Sequence, residues 1–130
     1  MKLGIIGAMD VEVAILKERM TDKRNRMVAG SEFCEGKLSK LPVVVVQCGV
    51  GKVNAALCVQ ILCDCFGVTH IVNTGVAGSL DAKLDIGDFV ISRDAVYHDF
   101  DCSSLNSHLT FLVSKKESAS SFIKNYISYE

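Results

Sequence analysis

At 130 residues, with 49% of them hydrophobic, the chain has enough apolar side chains for one domain with a real core. The formal charge is −1, the basic residues are scattered and the few aromatics are not interleaved with them, which excludes nucleic acid as a partner. No apolar run reaches membrane-spanning length and no cleavable leader precedes the first apolar run, so the expectation is a cytoplasmic protein, off the membrane, with reduced thiols.

Residues 2–7 read as a buried strand ending in Gly7, followed by a small-residue loop, Ala8-Met9. Asp10 then caps a helix to about residue 20, with Val13, Leu16 and Met20 at helical spacing. Glu12 falls in its first turn. Spacing alone reads it as an acid favoured by the helix dipole, worth roughly a few tenths of a kcal/mol; the sharper reading is a carboxylate aimed into a pocket. Residues 21–40 are polar and broken by Gly30 and Gly36, with Lys23-Arg24-Asn25-Arg26 placed on a solvated turn. Residues 27–29 and 33–38 are candidates for short antiparallel strands.

Pro42 starts a strand over residues 43–47, whose four valines leave no polar face and predict a central position covered on both sides. Gly49-Val50-Gly51-Lys52 leads into a helix over residues 53–66, apolar nearly all round and so directed at a core or a second subunit. Gly67 stops it. Residues 70–73 form the next strand, ending in Thr74-Gly75-Val76-Ala77-Gly78-Ser79. Residues 84–88 read as a turn feeding a strand at 89–92, with an extended segment at 95–97. His98-Asp99-Phe100-Asp101 reads as a hydrogen-bonded loop, not a metal site.

Three apolar strands, each running into glycine, predict three edges of one pocket at the C-terminal side of a parallel sheet. Alternation of strands and helices gives an α/β class. The six cysteines (Cys34, Cys48, Cys58, Cys63, Cys65 and Cys102) read as small buried hydrophobes, and Cys63-Asp64-Cys65 lacks the second ligand pair a zinc site needs.

Gly49-x-Gly51 only partly fits a dinucleotide fingerprint, and Gly51-Lys52 is followed by Val53 where a phosphate loop needs a hydroxyl. Around the loops stand Ala8, Met9, Val50, Val76 and Ala77, with Lys52 alone as a cation. Such a pocket suits a neutral ligand with apolar and hydroxyl parts, and a carboxylate beside it suits the activation of water.

Gly4-Ile5-Ile6-Gly7-Ala8-Met9 with Glu12, Cys48-Gly49-Val50-Gly51-Lys52-Val53-Asn54-Ala55-Ala56, Asn73-Thr74-Gly75-Val76-Ala77-Gly78, and Asp85-Ile86-Gly87-Asp88-Phe89-Val90 with Tyr97-His98-Asp99 occur in that order. Residues 1–101 thereby resemble the N-terminal half of the bacterial 5′-methylthioadenosine/S-adenosylhomocysteine nucleosidases. The resemblance implies a nucleoside phosphorylase-like three-layer fold with a mixed, largely parallel central sheet, incomplete at the C-terminus. It further implies a homodimer, no metal or organic cofactor, and hydrolysis of the adenine–ribose bond in methionine salvage and nucleoside catabolism.

By the same resemblance Glu12 activates the attacking water, reversing the dipole-only reading. Ala8 and Met9 lie beside ribose and water, Val50 near the 5′-thio substituent, and Val76, Ala77 and Gly78 beneath sugar and base. Val76 stands where some relatives carry serine, which removes a hydroxyl contact. The family's general acid, an aspartate of the C-terminal half, has no counterpart that can be placed here. Residues 102–130 form a divergent serine-rich tail, expected to arise from a frameshift or early termination, and the polypeptide alone is expected to hydrolyse methylthioadenosine poorly. Two other readings stay open: a related nucleoside phosphorylase, and a non-catalytic nucleoside-binding or dimerisation fragment.

Overall fold

A computed structural model of the chain describes residues 1–92. These fall in two units, the first Met1–Val76 and the second beginning at Ala77.

In the first unit the elements are β1 (Leu3–Gly7), α1 (Asp10–Arg19), β2 (Thr21–Val28), β3 (Ser31–Leu38), β4 (Leu41–Gln47), α2 (Lys52–Phe66) and β5 (His70–Asn73). They form one mixed sheet in the order β2-β3-β4-β1-β5. β1 is parallel to both β4 and β5, with Ile5 opposite Val45 on one side and Val72 on the other. β3 runs antiparallel to β2 and β4.

The valine run explains why β4 is central. Val43, Val44, Val45 and Val46 are all fully buried, and the period-2 alternation of a strand deals them to opposite faces. Val43 and Val45 pack with Ile5, Val13, Met20 and Cys34 under α1. Val44 and Val46 pack with Ile6, Phe33, Cys58, Leu62 and Phe66 under α2. Helix, sheet and helix make the three layers of the expected nucleoside phosphorylase-like α/β fold.

Between α1 and β4 the structure corrects the reading of the sequence. The expected short strands are one long hairpin, and the basic tetrad lies within β2 rather than on a turn. Charged residues on an exposed edge strand repel further pairing, and a strand exposed on both faces shows no apolar alternation. Both hairpins close through two-residue loops with positive φ at each central position, Ala29-Gly30 and Ser39-Lys40, as the twist of the flanking strands favours.

Helix α2 buries Cys58, Leu62 and Phe66 and leaves Val53 and Leu57 exposed. Gly67 ends it in the left-handed conformation (φ 61°, ψ 36°), its N–H donating to the Cys63 carbonyl. Two cations meet this carbonyl end. Lys2 Nζ donates to the Phe66 carbonyl at 2.8 Å while pairing with Glu35, and Arg26 lies 5.1 Å over the Phe66 ring. Both charges complement the negative pole of the helix.

The cysteines divide. Cys34 and Cys58 are buried as expected, whereas Cys63 and Cys65 are exposed on the outer side of α2. Burial pushes the thiols of Cys34, Cys48 and Cys58 above the ordinary 9.0. In the folded chain they hold their protons where the unfolded chain releases them. Stability is therefore intact below about pH 9 and falls as pH rises past it, because the unfolded state then binds fewer protons. Urea midpoints at about pH 7, about pH 8 and about pH 10 check the sign, with the loss expected only over the upper interval. Iodoacetamide is expected to alkylate Cys63 and Cys65 well before Cys34 and Cys58.

In the second unit, the described residues form two aspartate-anchored turns. The Leu84 N–H donates to the Asp81 carbonyl, and the Asp85 N–H donates to the Asp88 carboxylate at 2.9 Å. The turn at 84–88 is present, but the strand expected at 89–92 is not. Phe89 and Ile91 stand exposed: β-branched and aromatic residues favour a strand only where a neighbour supplies the ladder. The segments read at 95–97 and 98–101 and the tail from Cys102 lie outside the described residues.

Candidate active site

The expected three-edged arrangement is present in the first unit. β4, β1 and β5 are neighbours, all parallel, so Gly7, the loop after Gln47 and the segment after Asn73 leave the sheet at the same edge. The ladder runs on into these exits: Cys48 N–H donates to Gly7 O at 2.8 Å and Thr74 N–H to Ile6 O at 2.9 Å. From β1 the chain passes to β4 on one side, then crosses by α2 to β5 on the other. The C-terminal end of β1 is thus a topological switch point, where open α/β sheets bind ligands.

Gly7 lets α1 begin at once over the strand end. A Cβ there would lie 2.7 Å from Val13 Cγ1 and 3.2 Å from Glu12 Cβ. The expected cap is corrected. Met9, with extended backbone, is the N-cap, and Asp10 is the first helical residue. Glu12 reaches back, its Oε2 accepting the Met9 N–H at 2.9 Å, which satisfies an otherwise orphaned donor at the helix start.

The other oxygen of the same carboxylate crosses to the segment that follows β5. Glu12 Oε1 accepts the Val76 N–H at 3.2 Å, across 64 residues of sequence. Glu12 is half-buried, and its two oxygens each hold one amide, leaving lone pairs for further donors. A carboxylate fixed by backbone on two sides, at a strand-end edge, can take a proton from a bound water and stabilise positive charge developing beside it.

The loop between β4 and α2 takes its shape from Gly49 (φ 84°) and Gly51 (φ 102°), both in the region that side chains disfavour. Asn54 pins it by donating from Nδ2 to the Val50 carbonyl at 2.7 Å. Asn54 and Gly75 are contributors that sequence reasoning gave no role of their own. An amide side chain in the first turn of α2 was the available signal for Asn54; for Gly75, flanked by other small residues, there was none.

Of the residues expected to form the site, the structure brings Met9, Glu12 and Val76 together through hydrogen bonds. Ala8 is half-buried in the β1–α1 loop beside them, and Val50 is exposed on the loop of the adjacent strand. Ala77 and Gly78 are exposed at the start of the second unit. Among the described residues no group of three or more His, Cys, Asp or Glu side chains gathers as a metal site, and no helix is long and apolar enough to cross a membrane. An open hollow lined by Lys17, Glu18, Lys23, Asn25 and Cys34 lies along the far half of α1, away from the glycine loops.

The phosphorylase superfamily model matches residues 2–121. The 5′-methylthioadenosine/S-adenosylhomocysteine nucleosidase of Colwellia psychrerythraea is 53% identical over 104 residues, which are 80% of this chain and 43% of that protein. The nucleosidase of Staphylococcus haemolyticus is 48% identical over 107 residues, 82% of this chain and 47% of the relative. The chain therefore spans a little under half the length of the curated relatives it matches.

Among solved structures, that of the Colwellia nucleosidase in complex with adenine superposes with a TM-score of 0.77, covering 80% of this chain and 43% of the other. The S. pneumoniae nucleosidase with a transition-state inhibitor gives 0.77 at 38% identity, covering 80% and 45%.

Proposed function

Because this chain belongs to the phosphorylase superfamily, we propose that it carries the water-activating part of a 5′-methylthioadenosine/S-adenosylhomocysteine nucleosidase. The reaction is hydrolysis of the N-glycosidic bond with release of adenine. One observation above the others supports this reading: the Glu12 carboxylate is held by the Met9 and Val76 amides at the shared end of three parallel strands. Identity of 53% to a nucleosidase supports the substrate class.

In this mechanism the bond between adenine and the sugar carbon breaks with its electron pair leaving on the base, and the sugar becomes oxocarbenium-like. Water attacks that carbon, and Glu12 takes the water's proton while its charge offsets the positive charge on the sugar. Ala8 and Met9 flank ribose and water, Val50 lies toward the 5′-thio group, and Val76, Ala77 and Gly78 support sugar and base. The step calls for no metal and no organic cofactor. The departing adenine must be protonated, and no residue of this chain is assigned that task. Residues 1–101 are the nucleosidase part, and 102–130 a divergent tail.

A cytoplasmic homodimer working in methionine salvage completes the reading. The exposed Val53 and Leu57 on α2 support the dimer, since apolar side chains on one helix favour a second subunit.

The test incubates the purified chain with methylthioadenosine or adenosylhomocysteine, with and without inorganic phosphate, and follows free adenine. Release independent of phosphate is expected, slower than in a complete relative by about 10²–10⁴-fold for want of the acid. Phosphate-dependent release would make the chain a phosphorylase. Adenosine binding by calorimetry without any product would make it a non-catalytic binding module.

A further inference from the structure

The Glu12 carboxylate lies hard against the backbone of the segment that leaves β5. A Cβ built on Gly75 would stand 2.6 Å from Glu12 Oε1 and 3.1 Å from its Cδ, with no other neighbour among the three nearest atoms. Gly75 has no left-handed φ, so its backbone would accept alanine without strain. The next residue, Val76, donates its N–H to the same Oε1 at 3.2 Å. One peptide step therefore both approaches the carboxylate closely and holds it.

We infer that Gly75 is a positioning residue for the Glu12 carboxylate: its missing side chain is the space in which Oε1 receives the Val76 amide. This rests on the proposed role of Glu12 and extends it to the residue that sets the direction of the acid. The atom a Cβ would strike is the far end of a flexible side chain. The collision is relieved by swinging the carboxylate away, not by deforming the sheet. Gly75→Ala thus breaks the Val76 contact while the Met9 contact on Oε2, made within α1 itself, can persist.

The experiment reads amide exchange on the full chain by NMR. In Gly75→Ala the Val76 amide is expected to exchange about tenfold faster or more, the equivalent of losing one charge-assisted hydrogen bond. Amides of β1 and β4 are expected to keep their protection. Stability is measured for Gly75→Ala in the native background and in Glu12→Ala. If the strain is against the carboxylate, whatever Gly75→Ala costs in the first disappears in the second, even if the single variant folds poorly.

An unchanged Val76 exchange rate, or an equal stability loss in both backgrounds, overturns the inference. Adenine release is followed in parallel, where a fall in kcat with little change in KM is expected. A chain that binds nucleoside without turnover would remove the proposed reaction, while the exchange and double-variant results would still decide the positioning of Glu12.

Discussion

Glu12→Gln is expected to lower adenine release by about 10²–10⁴-fold while leaving adenosine affinity within a few-fold. The amide matches the carboxylate in size and can still accept one of the two backbone donors, Met9 N–H or Val76 N–H. It cannot accept both, because its second polar atom is itself a donor, so a modest stability loss of about 1 kcal/mol accompanies the change. Above all it cannot take a proton from water, and it carries no charge to set against an oxocarbenium-like sugar. The separation of effects is the point of the measurement: calorimetry reports binding, adenine release reports chemistry, and a thermal melt reports the clamp. Turnover equal to that of the unsubstituted chain would remove Glu12 from the reaction.

The largest stability effect is expected at Phe33. Its side chain is fully buried between β3 and α2, and its ring stacks on Phe66 with centroids 4.9 Å apart and planes inclined by 24°. Phe33→Ala deletes that stack and opens a cavity under Leu62, Val44 and Val46, costing about 3–5 kcal/mol. Against a total stability of roughly 5–15 kcal/mol, that leaves a marginal protein. Met27→Ala, on the exposed edge strand two registers from the hairpin turn, is the contrast and is expected within about 0.5 kcal/mol. Urea unfolding of the two variants side by side checks the difference. A Phe33→Ala loss below about 1 kcal/mol would contradict the packing described.

What could be read in the sequence follows what physics makes local. Four consecutive valines admit few environments, and their central strand was legible at once. So were the glycine-ended exits of β1, β4 and β5, and from these the shared edge. The β2–β3 hairpin was legible only in part because its outer strand is polar on both faces, and its stability comes from a ladder to residues further along the chain. Pairing of that kind leaves no periodicity to find. At 89–92 the opposite failure occurs: the composition favours a strand, and among the described residues no ladder realises it.

The site divides in the same way. A carboxylate in the first turn of α1 was visible as a residue type at a spacing, and the choice between dipole partner and pocket acid was not. The direction of the carboxylate depends on a backbone amide supplied by Val76, and nothing near Glu12 in sequence announces it. Met9 rather than Asp10 caps helix α1 for a related reason: Glu12 itself closes the helix end, leaving Asp10 free to be the first helical residue.

The bond from Glu12 to Val76 also ties the acid to the order of assembly. It cannot form until β5 has docked on β1, closing a loop of 64 residues, and such distant pairings are the slow events of folding. Among the described residues β5 is short, exposed throughout its four residues and bonded to β1 alone. A short strand with few buried side chains opens at lower free energy than a packed centre. The aim of the carboxylate is accordingly as durable as the docking of these four residues on β1, and each excursion of that ribbon unlatches it while the valine interior stays shut.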